Sequence, residues 1–578
     1  MLRYAKEKSM LEKQKVYVEF LQKVEAIASS IEGIDLEEFR LTKLRQSVQD
    51  VELLVPVVGA FSAGKSTLIN SLLGGDYLEV DSNPKTALAT ELRYSADKEY
   101  IEAYKKNGDY DIFGIDEKDK IEEYQRQASE NDSYEFLRFY IHKEVLKEIE
   151  PMILVDMPGF DSPLEKHNTA IYAYIEKGVH FVVLERAAQG TITQSLKRNL
   201  ENICNLGRDF SFFISRANQV PPSEIQDIKE YFLDQLQLEF NVTHLQTLGK
   251  DGGDILKTLV KELNANALIE KVFKQILLDT SATVIDSIYL KSRALNKSIR
   301  ENQNRISDLQ EAIQDLQKEQ EAMIKNVENR YALSRVDSIL DAVDSDLQRN
   351  IDELVTAYNC GGESTLNNSI TSIIQGSLSK HIKDTLEGLS AKISKDFSVN
   401  LQNLNTSMSE FSASGDWAKA LEASSVNLGT MTVKLLEKGV EAMITLGGMV
   451  GKIGAILAQV LKIVNPIIAV VISFLPQIIT GLIEAFSDKD KKIKSLLLSR
   501  VIPPIKVHLR PTLQEEFTRQ VKEMIAQISQ NYQEQIKVQV KIIENTQEEI
   551  KSKQSDIQNI TMRCEKAIQD IEKAQQIL

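Results

Sequence analysis

Residues 59–66 read GAFSAGKS, which places glycines, a lysine and a serine at the spacing GxxxxGK[ST]. The apolar run LLVPVV precedes this segment and the helical pattern TLINSLL follows it, as in the strand–loop–helix setting of a phosphate-binding loop. In such a loop, backbone N–H groups and the N-terminus of the helix surround a β-phosphate. We expect Lys65 to bridge the β- and γ-phosphates and the hydroxyl of Ser66 to ligate Mg²⁺.

A second candidate element lies about 90 residues further along, in the segment MILVDMPG. Asp156 ends an apolar run that predicts a strand, and Gly159 follows three residues later. The carboxylate is expected beside the magnesium ion, and the N–H of the glycine is expected to contact the γ-phosphate. A DxxG pattern is weak evidence alone, but its position after a phosphate-binding loop makes a nucleotide site the stronger interpretation.

Between these two segments, NPKTALATELRY contains two threonines, Thr86 and Thr90. An enzyme that hydrolyses a nucleoside triphosphate needs a loop hydroxyl and carbonyl near the metal ion and the attacking water. Both threonines are candidates for this role. An ordinary β-turn with surface hydroxyls would explain the same residues.

The base of the nucleotide is expected beside the segment that follows the apolar run SFFIS. There the chain has Ser215, Arg216, Ala217 and Asn218, where a GTPase usually has Asn/Thr-Lys-x-Asp. Because Asn218 has one acceptor oxygen and a donor NH₂, it satisfies the two guanine donors less well than aspartate, which costs about 1–3 kcal/mol. Arg216 can still stack on the base. The segment TLGKDGGDILKTLV, residues 247–260, is either the last loop on the base side or a glycine-rich surface turn.

The wider sequence divides into an α/β part and a helical part. Charged residues make up 26% of the 578 residues and aromatic residues 6%, a composition that favours extended helices. From residue 51 to 265, the apolar runs VELLVPVV, MILVD, HFVVLE and SFFIS alternate with helical stretches. This alternation predicts an α/β P-loop GTPase domain with a mainly parallel sheet.

Net charge, cysteine content and the N-terminal sequence each disfavour one class of protein or site. The net charge of −15 disfavours a nucleic-acid partner. The cysteines, Cys204, Cys360 and Cys564, are far apart, so neither a disulfide framework nor a zinc site is indicated. The first twenty residues lack the uninterrupted apolar core of a secretory signal, which predicts a cytoplasmic protein.

Apolar residues recur at heptad spacing in two segments about 200 residues apart. The first set is Ile306, Leu309, Ile313, Leu316 and Met323, and the second is Ile536, Val540, Ile543, Ile550 and Ile557. The pattern predicts two arms that pack on each other and on an amphipathic N-terminal helix, forming a long all-α bundle of coiled-coil type. An ordinary helical domain would give the same pattern.

An apolar segment separates the two arms, and residues 463–483 contain no charged side chain. This length could span a hydrocarbon core of about 30 Å, although Pro466 and Pro476 interrupt it. A core hairpin buried by the bundle, a transmembrane hairpin and a retractable hairpin that inserts into one leaflet are all compatible with the pattern. The lysines of DKDKKIK, which could meet anionic headgroups, favour the third. The predicted membrane residues are Ile467, Ile468, Val471, Phe474, Leu475, Ile478, Lys491 and Lys492.

The segments GAFSAGKSTLINSLLG, PKTALAT and DMPG, with the long helical middle and its apolar tip, resemble those of the bacterial dynamin-like proteins. The motifs cover residues 51–265, and beyond them only the order of the parts is similar. The resemblance implies an N-terminal helix joining the neck (1–50), a GTPase domain (51–265), a first neck and trunk arm (266–436), an apolar membrane-interacting paddle (437–486) and returning trunk and neck helices (487–578).

By the same resemblance, Thr86 matches the catalytic threonine of the family, because it stands at the family's distance before the strand ELRY. Ser62 matches the serine that helps to coordinate a monovalent cation in dynamins. Phe61 stands where eukaryotic dynamins have glutamine, and Phe160 follows the DMPG segment where Ras-like enzymes have theirs. These two departures imply slow hydrolysis by an isolated monomer.

The motifs and the resemblance together give three sets of site residues. The catalytic set is Lys65, Thr86, Ser62 and Gly159. The nucleotide-binding set is Gly59, Ser62, Ala63, Gly64, Lys65, Ser66, Thr67, Asp156, Gly159, Ser215, Arg216 and Asn218. The metal set is Ser66, Thr86 and Asp156.

The resemblance implies a Mg²⁺-dependent GTPase that binds GTP and GDP. It also implies nucleotide-dependent dimerisation through GTPase domains, peripheral association with an anionic lipid membrane, and membrane remodelling. A second dynamin-like subunit is a candidate partner that the sequence leaves open. A nucleotide-regulated membrane-binding protein with little hydrolysis is the main alternative. An SMC-like ATPase is a further alternative, although the sequence has no LSGG-type signature.

Overall fold

The structure is a computed structural model of the 578-residue chain. It describes residues 10–35, 39–60, 62–79, 88–105, 108–117, 123, 134–159, 174, 177–192, 194–205, 208–249, 252–327, 332–413, 449–480, 489–553 and 556–578.

A nine-stranded mixed sheet forms the first part of the chain. Its strands are β1 Leu53–Gly59, β2 Ala89–Tyr94, β3 Tyr100–Lys105, β4 Tyr110–Gly114, β5 Tyr134–Ile141, β6 Met152–Asp156, β7 His180–Arg186, β8 Asp209–Ser215 and β9 Gln246–Thr247. The order in the sheet is β4-β3-β5-β2-β6-β1-β7-β8-β9. Strand β1 runs parallel to both β6 and β7, and the pairs β2–β5, β7–β8 and β8–β9 are also parallel.

The central strands are buried on both faces, which explains why they read as continuous apolar runs. Every residue of β1 and β6 is buried. The helices that accompany the sheet and precede it are α1 Glu12–Ser29, α2 Leu41–Asp50, α3 Lys65–Leu73, α4 Glu144–Glu148, α5 Gln194–Asn205, α6 Pro222–Phe240 and α7 Gly253–Glu262. The predicted mainly parallel α/β fold is confirmed.

Long helices form the remainder of the described chain. They are α8 Ala265–Leu295, α9 Ile299–Asn326, α10 Ala332–Arg349, α11 Ile351–Met408, α12 Met449–Thr480, α13 Lys489–Leu496, α14 Ile502–Ser552 and α15 Ile557–Gln575. Helix α11 is broken at Gly362, whose φ of 66° lies in the left-handed region. The predicted all-α bundle is confirmed by this arrangement.

The two predicted arms pack on each other, since α9 contacts α14, and α1 packs on both α8 and α15. On the first seam, Ile306, Leu309 and Leu316 are buried, while Ile313 and Met323 are half-buried. On the second, Ile536 and Ile543 are buried, and Val540, Ile550 and Ile557 are half-buried. Each seam therefore faces the interior of the bundle, where burial of apolar surface stabilises it.

One ion pair is buried where the two ends of the chain meet the first arm. The ammonium of Lys291 on α8 donates to a carboxylate oxygen of Glu549 on α14 and to the backbone carbonyl of Glu32. The side chain of Lys291 is 1% exposed and that of Glu549 is 7% exposed. Three segments distant in sequence thus share one desolvated charge pair.

The residues predicted to contact a membrane lie largely inside this bundle. Helix α12 packs between α11 and α14. Buried there are Ile467, Ile468, Val471, Phe474 and Leu475, while Ile478 is half-buried. The ring of Phe474 stacks on His508 of α14 with ring centroids 4.4 Å apart. In this conformation packing on α11 and α14 removes the apolar surface of these side chains from water, and their contact with a membrane stays a prediction.

By length and composition alone, helix α12 is nevertheless long and apolar enough to cross a membrane. Among the described residues it is the one helix that does so, over the window Lys462–Ile479, of which 44% is buried. On its outer side Ile472 is 47% exposed. Lys491 and Lys492 lie within α13.

Candidate nucleotide-binding site

The predicted phosphate-binding loop connects β1 to α3 at the centre of the sheet. Gly59 ends β1, and a Cβ at this position would lie 2.3 Å from the backbone oxygen of Leu184 on the neighbouring strand β7. Gly64, with φ of 88°, immediately precedes α3. Ser62 also has a left-handed backbone, with φ of 62°. The loop is thus tightly curved, and it requires glycine where it meets β7.

Lys65 lies at the centre of this loop. Its side chain is buried, and its ammonium nitrogen lies 3.3 Å from the carbonyl oxygens of both Gly59 and Ala60. These contacts hold the positive charge within the curve of the loop, at the N-terminus of α3. The ammonium of Lys65 and the positive end of the α3 dipole therefore both attract an anionic phosphate to the same position.

The structure brings Ser66 and Asp156 together, as the motifs predict. The hydroxyl of Ser66 donates to Oδ2 of Asp156 at 2.7 Å, across 90 residues of sequence. Oδ1 of Asp156 is buried and has no hydrogen-bond partner among the described residues. Burial raises the pKa of Asp156 to about 6, although Lys65 and the hydroxyl of Ser66 act in the opposite direction. A hydroxyl beside a buried carboxylate with a free oxygen is a donor set that fits Mg²⁺, which prefers hard oxygen ligands.

Of the two candidate threonines, Thr90 lies among the described residues and Thr86 does not. Thr90 is 2% exposed within β2, directly opposite Asp156 of β6 in the antiparallel register. It is thus a buried strand residue beside the carboxylate of Asp156. Thr86 lies outside the described residues and stays a prediction. Gly159 is buried just beyond β6, as the DMPG motif requires, and Phe61 and Phe160 lie outside the described residues.

The base-side segment is held against the phosphate loop. The hydroxyl of Ser215, at the end of β8, donates to the carbonyl of Ala63 at 2.7 Å. Ser215 thus fixes the position of the phosphate loop, a role that the motif alone did not reveal. Arg216 follows with φ of 53°, and its Nε would lie 3.7 Å from a Cβ at Gly64. Asn218 is exposed in the short 3₁₀ turn Ala217–Gln219.

Residues 247–249 lie beside this turn. The N–H of Ala217 donates to the carbonyl of Leu248 at 3.0 Å, and the N–H of Leu248 donates to Ile214 at 2.8 Å. Strand β9 pairs with β8, and α7 follows it. Of the two interpretations offered for residues 247–260, the structure supports the loop that leads from the last strand into the last helix of the α/β part.

A buried charge network next to the site escaped the sequence analysis. The carboxylate of Glu91 on β2 is 3% exposed and accepts from Arg93 at 2.5 Å and from Arg138 at 2.8 Å. It also accepts from the hydroxyl of Tyr174 at 2.9 Å, and burial beside Glu91 raises the pKa of Tyr174 well above its usual value. The alternation of charge in ELRY was visible in the sequence. Arg93 lies on the same strand as Glu91, but Arg138 on β5 and Tyr174 could not be identified as partners without the fold.

Comparisons with known proteins agree with the fold and the site. Residues 55–216 match the sequence profile of the dynamin family. The chain is 23% identical over 317 residues to Dynamin-like protein 2 of Campylobacter jejuni, a match that covers 53% of this chain and 49% of that relative. It is 27% identical over 266 residues to a bacterial dynamin-like protein of Nostoc punctiforme, covering 43% and 37% of the two chains. The matches thus span about half, or less, of the length of these relatives.

The chain is also similar to a solved structure of an oligomerised bacterial dynamin pair. That pair is described as providing a mechanism for the long-range sensing and tethering of membranes. It covers 92% of this chain and 91% of its own, with 15% identity and a TM-score of 0.33. The dynamin-family match contains both halves of the phosphate and metal site, Lys65 with Ser66 and Asp156. The matches identify residues 55–216 as a dynamin-family domain and show that the chain is similar to bacterial dynamin-like proteins.

Proposed function

We propose that this protein hydrolyses GTP with Mg²⁺ and couples the nucleotide state to self-association and to binding or remodelling of a membrane. The observation that carries the proposal is the contact at 2.7 Å between Ser66 and Asp156, beside a phosphate loop whose lysine points inward. This contact joins the two motifs that a P-loop GTPase needs at one metal ion. The similarity of residues 55–216 to the dynamin family supports GTP as the nucleotide.

Residues of the chain itself would bind the phosphates, hold the metal ion and orient the attacking water in this reaction. The backbone of residues 59–66 would hold the β-phosphate, and Lys65 would stabilise the negative charge that develops on the transferred group. Ser66 and Asp156 would hold Mg²⁺, which neutralises phosphate charge when bound. Thr86 is proposed to orient the attacking water, with Gly159 donating its N–H to the γ-phosphate.

Hydrolysis by a single chain is expected to be slow, because phenylalanine occupies both positions at which related GTPases carry glutamine, Phe61 and Phe160. We therefore propose that two GTPase domains dimerise to complete the site. Ser62, with its left-handed backbone beside the phosphate loop, is the proposed ligand of a monovalent cation there. Assembly with a second dynamin-like subunit is a further proposal, based on the resemblance to bacterial dynamin-like proteins.

Asn218→Asp is expected to increase the preference for GTP over ATP by about tenfold, because a carboxylate accepts from both guanine donors. The ratio of kcat/KM for the two nucleotides measures this preference. Gln219→Glu is the matched control, since it adds the same charge to an exposed neighbour in the same turn. Equal ratios for wild type and Asn218→Asp would show that Asn218 does not read the base.

The proposed membrane element is α12, which would leave α11 and α14 and insert its apolar face into a lipid surface. Its span-like composition, its exposed Ile472 and the lysines of α13 support this role. The same residues are buried in the closed bundle, so lipid binding requires α12 to move. The proposal therefore predicts that closing the bundle covalently blocks binding to membranes.

The test is a reversible crosslink between cysteines introduced as Phe474→Cys and His508→Cys, at the stacked ring pair. The three native cysteines would be replaced by serine. Crosslinked protein is expected to bind GTP but not to sediment with anionic liposomes, and cleavage of the crosslink is expected to restore sedimentation. Sedimentation of the crosslinked protein at the level of the cleaved sample would overturn the role of α12.

A further inference from the structure

One buried hydrogen bond joins the chain that follows the DMPG segment to the strand β2. Tyr174 lies between Gly159 and the start of β7, and its hydroxyl donates to Oε1 of Glu91 at 2.9 Å. Tyr174 is 2% exposed and Glu91 is 3% exposed, so water does not compete for this bond. Because burial raises the pKa of Tyr174 well above its usual value, the hydroxyl stays protonated and acts as the donor.

Two arginines hold the same carboxylate from the other side. Oε2 of Glu91 accepts from Arg93 of β2 and, at 2.8 Å, from Arg138 of β5. Arg93 also donates twice, at 2.7 Å, to the carboxylate of Glu52, which immediately precedes β1. Loss of the Tyr174 hydroxyl would therefore release the link to Tyr174 and leave these charge pairs in place.

The ring of Tyr174 has a fixed position on the sheet. It lies in the apolar cluster that also contains Val155 and Phe181. Just beyond it, the N–H of Gly178 donates to the carbonyl of Tyr174 at 2.7 Å, and the N–H of Val179 donates to the carbonyl of Leu54 on β1 at 2.9 Å. The chain after Gly159 is thus anchored to β1 through its backbone and to β2 through the hydroxyl of Tyr174.

Strand β2 borders the proposed metal site. Thr90, the residue before Glu91, lies directly opposite Asp156 of β6 in the antiparallel register. Since successive side chains of a strand point to opposite faces, Glu91 and Thr90 lie on different faces of the sheet. An effect of Glu91 on the site therefore passes through the backbone of β2, which also continues back towards Thr86.

We propose that Tyr174 is a positioning residue that couples the chain after Gly159 to β2, so that both respond together to the γ-phosphate. The inference rests on the proposed GTPase function, because it assigns a regulatory link to that same site. Loss of the γ-phosphate at Gly159 would be transmitted through Tyr174 and Glu91 to β2. Binding of GDP, which uses the phosphate loop, would not depend on this link.

Tyr174→Phe removes the hydroxyl and keeps the buried ring, so the variant is expected to fold. The full chain is tested with Mg²⁺ for its affinity for GDP, its affinity for the β,γ-imido analogue of GTP, and its kcat for GTP. The variant should keep the wild-type affinity for GDP, bind the analogue about tenfold more weakly and have a kcat about tenfold lower, since it lacks a buried hydrogen bond to a carboxylate. Wild-type values for both the analogue and kcat would overturn the proposal.

Tyr532→Phe is the matched control, because it removes another buried tyrosine hydroxyl. Tyr532 of α14 is 1% exposed, and its hydroxyl donates to the carbonyl of Ser394 on α11 at 3.2 Å, within the helical bundle. Both variants should lower the unfolding temperature, but Tyr174→Phe alone should change the ratio of the affinities for the analogue and for GDP. Equal ratios in the two variants would show that Tyr174 contributes to stability alone, and would overturn the coupling.

A double-mutant cycle with Thr86→Ala tests whether the link reaches the catalytic side of β2. If it does, Tyr174→Phe should lower kcat much less in the Thr86→Ala background than in the wild type. Equal fold losses in the two backgrounds would overturn the coupling.

Failure of the link differs from failure of the proposed function. Normal GTP turnover by both the wild type and Tyr174→Phe would refute the link alone. A wild type that does not hydrolyse GTP, and binds the analogue no more tightly than Lys65→Ala does, would refute the GTPase function and the link with it.

Discussion

Lys65→Ala is expected to reduce GTP turnover by about 100- to 1,000-fold and to weaken GTP binding, because it removes the positive charge that the phosphate loop directs inward. In the structure this ammonium lies 3.3 Å from two loop carbonyls and has little access to solvent. The change leaves the glycines and the contact between Ser66 and Asp156 in place. Single-turnover hydrolysis and the affinity for a fluorescent GTP analogue measure the two effects separately.

Lys98→Ala is the matched control for this change. Lys98 is an exposed lysine between β2 and β3 of the same sheet, remote from the phosphate loop in sequence. The control is expected to keep wild-type turnover. If Lys65→Ala hydrolysed GTP as fast as the control, the phosphate loop would not be the catalytic centre.

Lys291→Met is expected to lower the free energy of unfolding by about 3–5 kcal/mol, because it leaves the buried carboxylate of Glu549 with only its longer contact to Lys553, at 3.7 Å. The pair lies where α8, α14 and the carbonyl of Glu32 meet, and both side chains are almost fully buried. Chemical denaturation followed by far-ultraviolet circular dichroism measures the loss.

The double variant Lys291→Met with Glu549→Leu separates the charge from the packing. Since an apolar pair of similar volume can replace a buried ion pair at little cost, the double variant should recover most of the lost stability. Lys541→Met breaks an exposed pair with Asp35, at 2.9 Å, and should cost less than about 1 kcal/mol. A loss in Lys291→Met no larger than this would contradict the structural role of the buried pair.

Local motifs explain why the phosphate site could be predicted from the sequence. The glycines, Lys65 and Ser66 lie within one strand–loop–helix unit, so their spacing fixes their relative positions. Asp156 is distant in sequence, but it ends a strand that pairs with β1 in parallel register, and the carboxyl ends of parallel strands meet at one edge.

The features that were missed depend on contacts between distant segments. Besides Arg93 on its own strand, Glu91 has Arg138 of β5 and Tyr174 as partners, and no spacing in the sequence relates these two residues to Glu91. Arg208 was likewise an ordinary arginine in the sequence, and only the fold buries its guanidinium. For buried polar groups, the partner or its absence is a property of tertiary structure.

The apolar segment of α12 shows a second reason why the sequence alone does not determine the structure. An uncharged run of this length satisfies a bilayer and the interior of a helical bundle equally well, because both environments remove the same side chains from water. The structure buries Val471 and Phe474 against neighbouring helices, whereas the pattern favoured a lipid surface. The two environments would belong to two conformations of one protein if α12 moves as proposed.

The most direct test of the central claim is the turnover of GTP and of ATP, measured side by side with and without liposomes of anionic lipid, with Lys65→Ala as the blank. A GTPase that couples its nucleotide state to a membrane should hydrolyse GTP in preference to ATP, accelerate when liposomes are added and lose this activity in the variant. Equal or absent turnover of the two nucleotides, with no response to lipid, would contradict the account.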